Sequence, residues 1–133
     1  MFKYVKFTKV ETENTVLEFR GDSEDVKVNH FDVDAVSIES EDEDAIDALV
    51  ESQPSEIECE VIEKDEFKLI VENSAQLKRI RTVVKEKIAL LYDIADEIAI
   101  SKLADDDEKR VSYDDYVSTC LSFGYGLKEG IGY

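Results

Sequence analysis

The spacing of apolar residues differs between the two ends of this chain, and that difference limits what it can fold into. Up to about residue 72, apolar and polar residues alternate with the period of two that suits half-buried strands. Beyond residue 73 they recur every three or four, the period of a helix lying on something. In residues 2–10, Lys3, Val5, Phe7 and Lys9 alternate with Phe2, Tyr4, Lys6 and Thr8. Neither set is cleanly apolar, which predicts an edge strand or one with a partly covered outer face. Residues 15–20 give a second strand with Leu17 and Phe19 inward, and Gly21-Asp22-Ser23-Glu24-Asp25 a turn. Residues 26–39 supply one or two more strands through Val26, Val28, Phe31, Val33, Val36 and Ile38.

Ser40 and Glu43 have capping-box spacing, and the acids between them suit the positive end of a helix. Ile46, Leu49 and Val50 then form one stripe, so a short helix is expected over 42–52, ended by Pro54. Ile57, Cys59 and Val61 alternate with Glu56, Glu58 and Glu60; Lys64-Asp65-Glu66 turns the chain, and Phe67, Leu69 and Val71 follow. This predicts a second hairpin over 56–72.

From a cap at Asn73 or Ser74, a helix is expected to run to Ala104, about 30 residues and 45 Å. Leu77, Val84, Leu91 and Ile98 recur every seven residues along it, with Ile80, Ile88, Ile94 and Ala95 widening the stripe and Val83 and Leu90 joining it. Such a helix is too long to lie wholly on a sheet this small, so part of it is expected to pack on a sister chain, a partner or the C-terminal helix. These four residues are a candidate helix–helix seam, with packing on the chain's own sheet as the alternative. After Asp105-Asp106-Asp107-Glu108, Ser112 with Asp115 predicts a shorter helix through Tyr113, Tyr116, Val117, Cys120 and Leu121, with Gly124 as its stop. The tail beyond is expected to be a flexible end or an arm ordered on a neighbour. The expected fold is α+β: an antiparallel sheet of about five or six strands, one short helix, then a long helix and a shorter one. A β-rich region (1–73) and a helical region (74–133) would form one domain, the usual arrangement for 133 residues.

Charge is distributed as unevenly as hydropathy. The net charge is −17, and residues 21–66 alone carry eighteen acids against two bases. A chain so short of basic surface is not expected to bind nucleic acid or an anionic membrane directly. Asp42, Glu43, Asp47, Glu56, Glu58 and Glu60 are expected on exposed faces, where a row of carboxylates can imitate phosphates and occupy a basic groove. The alternative is a solvated, self-repelling surface that keeps the protein soluble.

Little in the sequence points to catalysis. His30 is the one histidine, and no nucleophile elbow, phosphate-cradling glycine loop or HExxH spacing occurs. Asp105, Asp107 and Lys109 open with EF-hand spacing, but Arg110 stands where that loop requires glycine and Tyr116 where it requires glutamate. Cys59 and Cys120 are far apart, with no CxxC pair. No catalytic residue, metal site, cofactor or small-molecule substrate is expected. The N-terminus, Met1-Phe2-Lys3-Tyr4, lacks the apolar core of a signal peptide.

The run from Ile80-Arg81 through Lys87-Ile88, continuing Tyr92-Asp93-Ile94-Ala95-Asp96-Glu97-Ile98-Ala99-Ile100, resembles a segment of small bacteriophage proteins encoded among tail and virion genes. In those proteins a YSIADEIAIL-like helix is followed by a charged break and a Y-x-x-Y-x-x-Y/V-x-x-C helix. Tyr113, Tyr116, Val117 and Cys120 occupy comparable places, and Asp93 stands where the family has serine. The resemblance covers residues 80–121 and implies a non-enzymatic virion component or assembly factor, in the host cytoplasm or the virion. Taken together, a protein partner or a homo-oligomer is expected, with Leu77, Val84, Leu91 and Ile98 as the seam and Tyr113, Tyr116 and Tyr125 as aromatic anchors. The competing expectation is an acidic DNA-mimic inhibitor of a host nuclease or DNA-binding protein.

Overall fold

Strand β1 (Phe2–Phe7) organises the sheet, and it does so from the middle. A computed structural model describes residues 1–133. It places β1 between β5 (Ala35–Glu39) and β6 (Cys59–Ile62), with β4 (Lys27–His30) on the outer side of β5, all antiparallel. The short β2 (Val10–Glu11) and β3 (Val16–Leu17) pair separately. Of the two expectations for the mixed composition of β1, the edge strand is overturned and the partly covered outer face holds. On one face Val5 and Phe7 join Phe19, Val26, Val28, Val36, Ile38, Ile46 and Ile57 in the main core. The same face carries Lys3, whose ammonium meets Glu43 at 2.9 Å and Asp47 at 2.7 Å on α1 (Glu43–Glu51). Helix α1 starts close to where the sequence places it, with Asp42 as N-cap accepting from the Asp44 amide, 3.0 Å.

The opposite face of β1 is covered by a helix where a strand was expected. Residues Lys64–Val71 form α2, so the predicted 56–72 hairpin keeps only its first strand. Phe67 and Val71, one turn apart, are fully buried, whereas Leu69, inward in the strand reading, is 75% exposed. Acids Asp65 and Glu66 in the first turn favour the helix through its dipole. Phe67 packs on Tyr4 (ring centroids 4.7 Å apart) and edge-on to Phe31 (5.2 Å).

The chain divides into two compact units, residues 1–77 with 131–133, and residues 78–130. The boundary falls inside α3 (Ala75–Ala89), which Ser74 caps through its Oγ and the Leu77 amide, 3.3 Å. The expected helix to Ala104 is interrupted: Leu90–Asp93 leave the helix, and α4 (Ile94–Ser101) begins anew. Asp93 caps α4 with a reciprocal capping box, its Oδ1 accepting from the Asp96 amide at 2.7 Å while Asp96 accepts from the Asp93 amide at 3.0 Å. The final helix is also longer than expected. Helix α5 runs from Glu108 to Gly130, past Gly124, and starts five residues ahead of the Tyr113 turn because Asp107 accepts from the Lys109 amide, 2.9 Å. Arg110 closes the end of α4 by donating to the Leu103 carbonyl at 2.9 Å.

The last three residues are ordered within the first unit. Ser37, fully buried on the α2 side of the sheet, donates to the Ile131 carbonyl at 2.6 Å and accepts from Asn29 Nδ2 at 3.1 Å. Gly132, at φ +83°, lies so close to Phe2 and Ser37 that a Cβ there would stand 2.9 Å from the Phe2 ring and 3.1 Å from Ser37 Cβ. The tail that sequence left as a loose end or a neighbour's arm therefore satisfies buried polar groups of its own chain.

Candidate functional site

Exposed apolar surface is concentrated in the helical unit. Nine of the thirteen large hydrophobic side chains left exposed fall in residues 78–130, and only Ile80, Cys120 and Gly124 are buried there. The densest group sits where α3 gives way to α4: Leu90, Leu91, Ile94 and Ile98 are 79%, 62%, 77% and 54% exposed. The interruption of the helix accounts for this placement. Once Asp93 starts a new helix, Ile94 and Ile98 form a stripe one turn apart on α4, with Leu90 and Leu91 on the bend beside it.

Next to this stripe lies a groove of about 830 Å³. Ile88, Ala89 and Lys85 line it from α3, Ile94, Ala95 and Glu97 from α4, with Tyr92 and Asp93 from the bend and Tyr113 from α5. Tyr92 forms its aromatic floor, meeting Tyr113 edge-on at 4.9 Å and Tyr116 at 5.8 Å. Burial, and then the Glu97 carboxylate, push the Tyr113 hydroxyl's pKa up. Tyr116 donates its hydroxyl to the Lys87 carbonyl, in the last turn of α3. Its pKa is raised as well, by burial first and by Cys120 next.

The seven residues expected to bind a partner separate into two groups. Leu77 is fully buried and belongs to the first unit, so it is removed from the seam. Val84 is half-buried against Gly124 of α5, where the two helices approach closely. Tyr113 and Tyr116 are half-buried in the Tyr92 cluster and hold the groove together instead of projecting from it. Leu91, Ile98 and Tyr125 are exposed. The four-residue seam thus fails as one continuous line, because the helix is broken at 90–93. Leu90 belongs to the stripe read from the sequence but not to its partner-binding set. What that reading missed is the break, whose signal was present, since Asp93-Ile94-Ala95-Asp96 has the spacing of an Asp N-cap with an acidic third residue.

The acidic candidates all lie in the first unit and are all exposed. Counting Lys and Arg against Asp and Glu gives that unit −15 and residues 78–130 −2, which together recover −17. Several of the carboxylates have local work. Glu43 and Asp47 bridge to Lys3, and Glu60 and Glu66 to Lys6 at 3.4 and 2.8 Å. Asp42 caps α1. Glu56 and Glu58 flank the buried Ile57 and face solvent.

His30 is exposed at the end of β4, on a polar hollow it shares with Lys9, Glu18, Arg20, Asp22, Asp32 and Asp34. Its neighbour Asp32 takes a left-handed conformation, φ 59°, in the β4–β5 turn. No group of three or more His, Cys, Asp or Glu side chains is placed to hold a metal ion. Both cysteines are free, and burial raises the pKa of the Cys59 thiol, which lowers its thiolate fraction. No helix is long and apolar enough to cross a membrane. No family model, curated protein or solved structure matches this chain.

Proposed function

We propose that this chain is a non-enzymatic docking protein, which associates through the apolar corner of α3 and α4. A role as a virion or tail-assembly component, implied by the resemblance of residues 80–121, is the setting in which we place it. The observation that carries the reading is the exposure of Leu90, Leu91, Ile94 and Ile98 beside the groove. Fully burying a Leu or Ile side chain contributes about 1.5–3 kcal/mol, so covering what these four leave exposed would contribute about 4–8 kcal/mol. That is a large fraction of a micromolar binding energy, which is about 8 kcal/mol. Four exposed apolar side chains within residues 90–98 are the clustering that marks an interaction surface, whereas single scattered apolar residues are ordinary.

A second reading is favoured by the charge of the first unit: a surface at −15 would attract a basic DNA-binding partner. Against it, Glu43, Asp47, Glu60 and Glu66 are engaged by Lys3 and Lys6, which offset half of their charge and hold these carboxylates within the chain. Affinity capture separates the two. The wild-type chain and the Ile94→Asp variant are immobilised in parallel and exposed to a lysate of the source cells across a salt series. Docking through the corner gives a partner that persists at high salt and is lost with Ile94→Asp. A mimic gives a partner indifferent to Ile94→Asp and released by salt. Capture that neither Ile94→Asp nor salt affects would refute both.

A further inference from the structure

The charges lining the groove say what kind of surface completes it. Lys85 comes from the α3 wall, Asp93 from the bend and Glu97 from the α4 wall. Asp93 is committed to its own helix, since its carboxylate holds the Asp96 amide. That leaves Lys85 on the α3 wall and Glu97 on the α4 wall, where Glu97 already meets the Tyr113 hydroxyl. A purely apolar partner helix would give Lys85 no carboxylate and Glu97 no cation. A strongly basic partner would be drawn to the first unit, which carries nearly all of the net charge.

A second copy of this chain fits both conditions. A surface with its base on one wall and its acid on the other is self-complementary under a twofold rotation, which brings each base opposite the other copy's acid. The helical unit is also the part by which two such chains can approach. At −2 it carries little of the repulsion that two units at −15 would generate. With only Ile80, Cys120 and Gly124 buried among residues 78–130, this unit has a sparse core of its own, and small helical units without such a core commonly complete it by association.

Building on the docking reading above, we propose that the α3–α4 corner is a twofold interface between two copies of this chain. Leu91, Ile94 and Ile98 of each copy cover the other's groove, and Lys85 of each meets Glu97 of the other. The ion pairs fix the register, and the apolar residues supply the affinity.

Sedimentation equilibrium over about 1–500 micromolar protein, a range that brackets micromolar association, tests the proposal. The wild-type mass should rise from 15.1 kDa to twice that value. Ile94→Asp should raise the dissociation constant at least about tenfold, and Leu90→Asp serves as a second variant should the first melt early by circular dichroism. Lys85→Glu and Glu97→Lys should each weaken association, and the double variant, which reverses both pairs, should restore it to within about threefold of wild type. A constant 15.1 kDa species overturns the proposal. So does a dimer indifferent to Ile94→Asp, or a double variant no better than the singles. A monomer that still captures a lysate protein through Ile94 ends the second-copy proposal and leaves the docking reading standing. A monomer without such capture ends both.

Discussion

Two glycines in α5, two residues apart, should respond to the same substitution with opposite signs. Gly124 and Gly126 both lie inside the helix, and replacing a helical glycine by alanine gains about 1 kcal/mol of propensity. At Gly126 nothing stands within 4 Å of an added Cβ, so Gly126→Ala should deliver that gain nearly whole. At Gly124 the Cβ would lie 2.6 Å from Val84 Cγ2, about 1 Å inside a normal carbon–carbon contact. Val84 cannot swing aside, because a β-branched side chain in a helix is held to one rotamer, and Val84 Cβ and Ile80 Cγ2 close the site at 4.0 Å. Overpacking of this kind costs about 1–3 kcal/mol, so Gly124→Ala should lose about 1 kcal/mol net. Truncating the obstruction reverses the sign: in a Val84→Ala background, Gly124→Ala should stabilise by about 1 kcal/mol, a coupling of about 2 kcal/mol. Urea unfolding followed by far-ultraviolet circular dichroism reads all four proteins. A Gly124→Ala single variant as stable as Gly126→Ala would show that α3 and α5 do not approach at this point, and the packing of the helical unit described above would be wrong.

The remaining expectations concern the tail, the polar pair beneath it, and pH. Gly132→Ala should destabilise by about 1–3 kcal/mol, through its positive φ and its overlap with Phe2 and Ser37; faster proteolysis of the C-terminus would accompany the lower urea midpoint. Ser37→Ala should cost about 1–3 kcal/mol, since it leaves Asn29 and the Ile131 carbonyl buried without their partner; a midpoint equal to wild type would show that water replaces the hydroxyl. The resolved pKa shifts all point upward: Cys59, Tyr4, Tyr113 and Tyr116 through burial, Lys3 through Asp47 and then Glu43, Lys6 chiefly through Glu66, Lys9 chiefly through Glu11. A group whose folded pKa is raised binds its proton more tightly when folded, so its contribution is complete below the unfolded value and is lost as pH climbs through the folded one. Stability should therefore decline above the lowest ordinary value, 9.0 for Cys59, and urea midpoints measured from pH 8 to 11 would reveal a flat profile if the reasoning fails.

Alternation and charge were enough to place the sheet, because a strand buried on one face writes its period directly into the sequence. Val26, Val28, Val36 and Ile38 are core residues in both the reading and the structure, and α1 starts close to the expected place, capped by Asp42 where Ser40 was expected. Errors arose where two periods share residues. Phe67, Leu69 and Val71 satisfy a period of two, yet Phe67, Ile70 and Val71 satisfy the helical one, and the acids at 65 and 66 decide between them. The heptad series had the opposite fault. Leu77, Val84, Leu91 and Ile98 keep perfect spacing across a break that only Asp93 and Asp96 announce, so counting apolar residues alone ran straight through it. Gly124 reads as a stop because glycine usually ends helices, but here it is required by the approach of Val84 from another helix, which no local pattern encodes. The docking corner was therefore half legible: its apolar residues could be named, while the bend that exposes Leu90 and Ile94 was written only in the Asp93–Asp96 spacing.

Charge and apolar exposure have been sorted onto different parts of this chain, and the sorting carries a physical consequence. The first unit holds −15 over a well-filled core, while the helical unit is near neutral and leaves its apolar residues open. Salt should act on the two in the same direction for different reasons. Screening relieves repulsion among carboxylates within the first unit, and it also weakens the long-range repulsion between two approaching chains of −17. Apolar contacts at the corner are not screened, so a rise from low ionic strength to about 0.5 M salt should both raise the melting temperature and tighten self-association. An association driven by the acidic surface would do the reverse, dissociating as salt rises. The sign of that one dependence therefore tells which of the two surfaces brings molecules together.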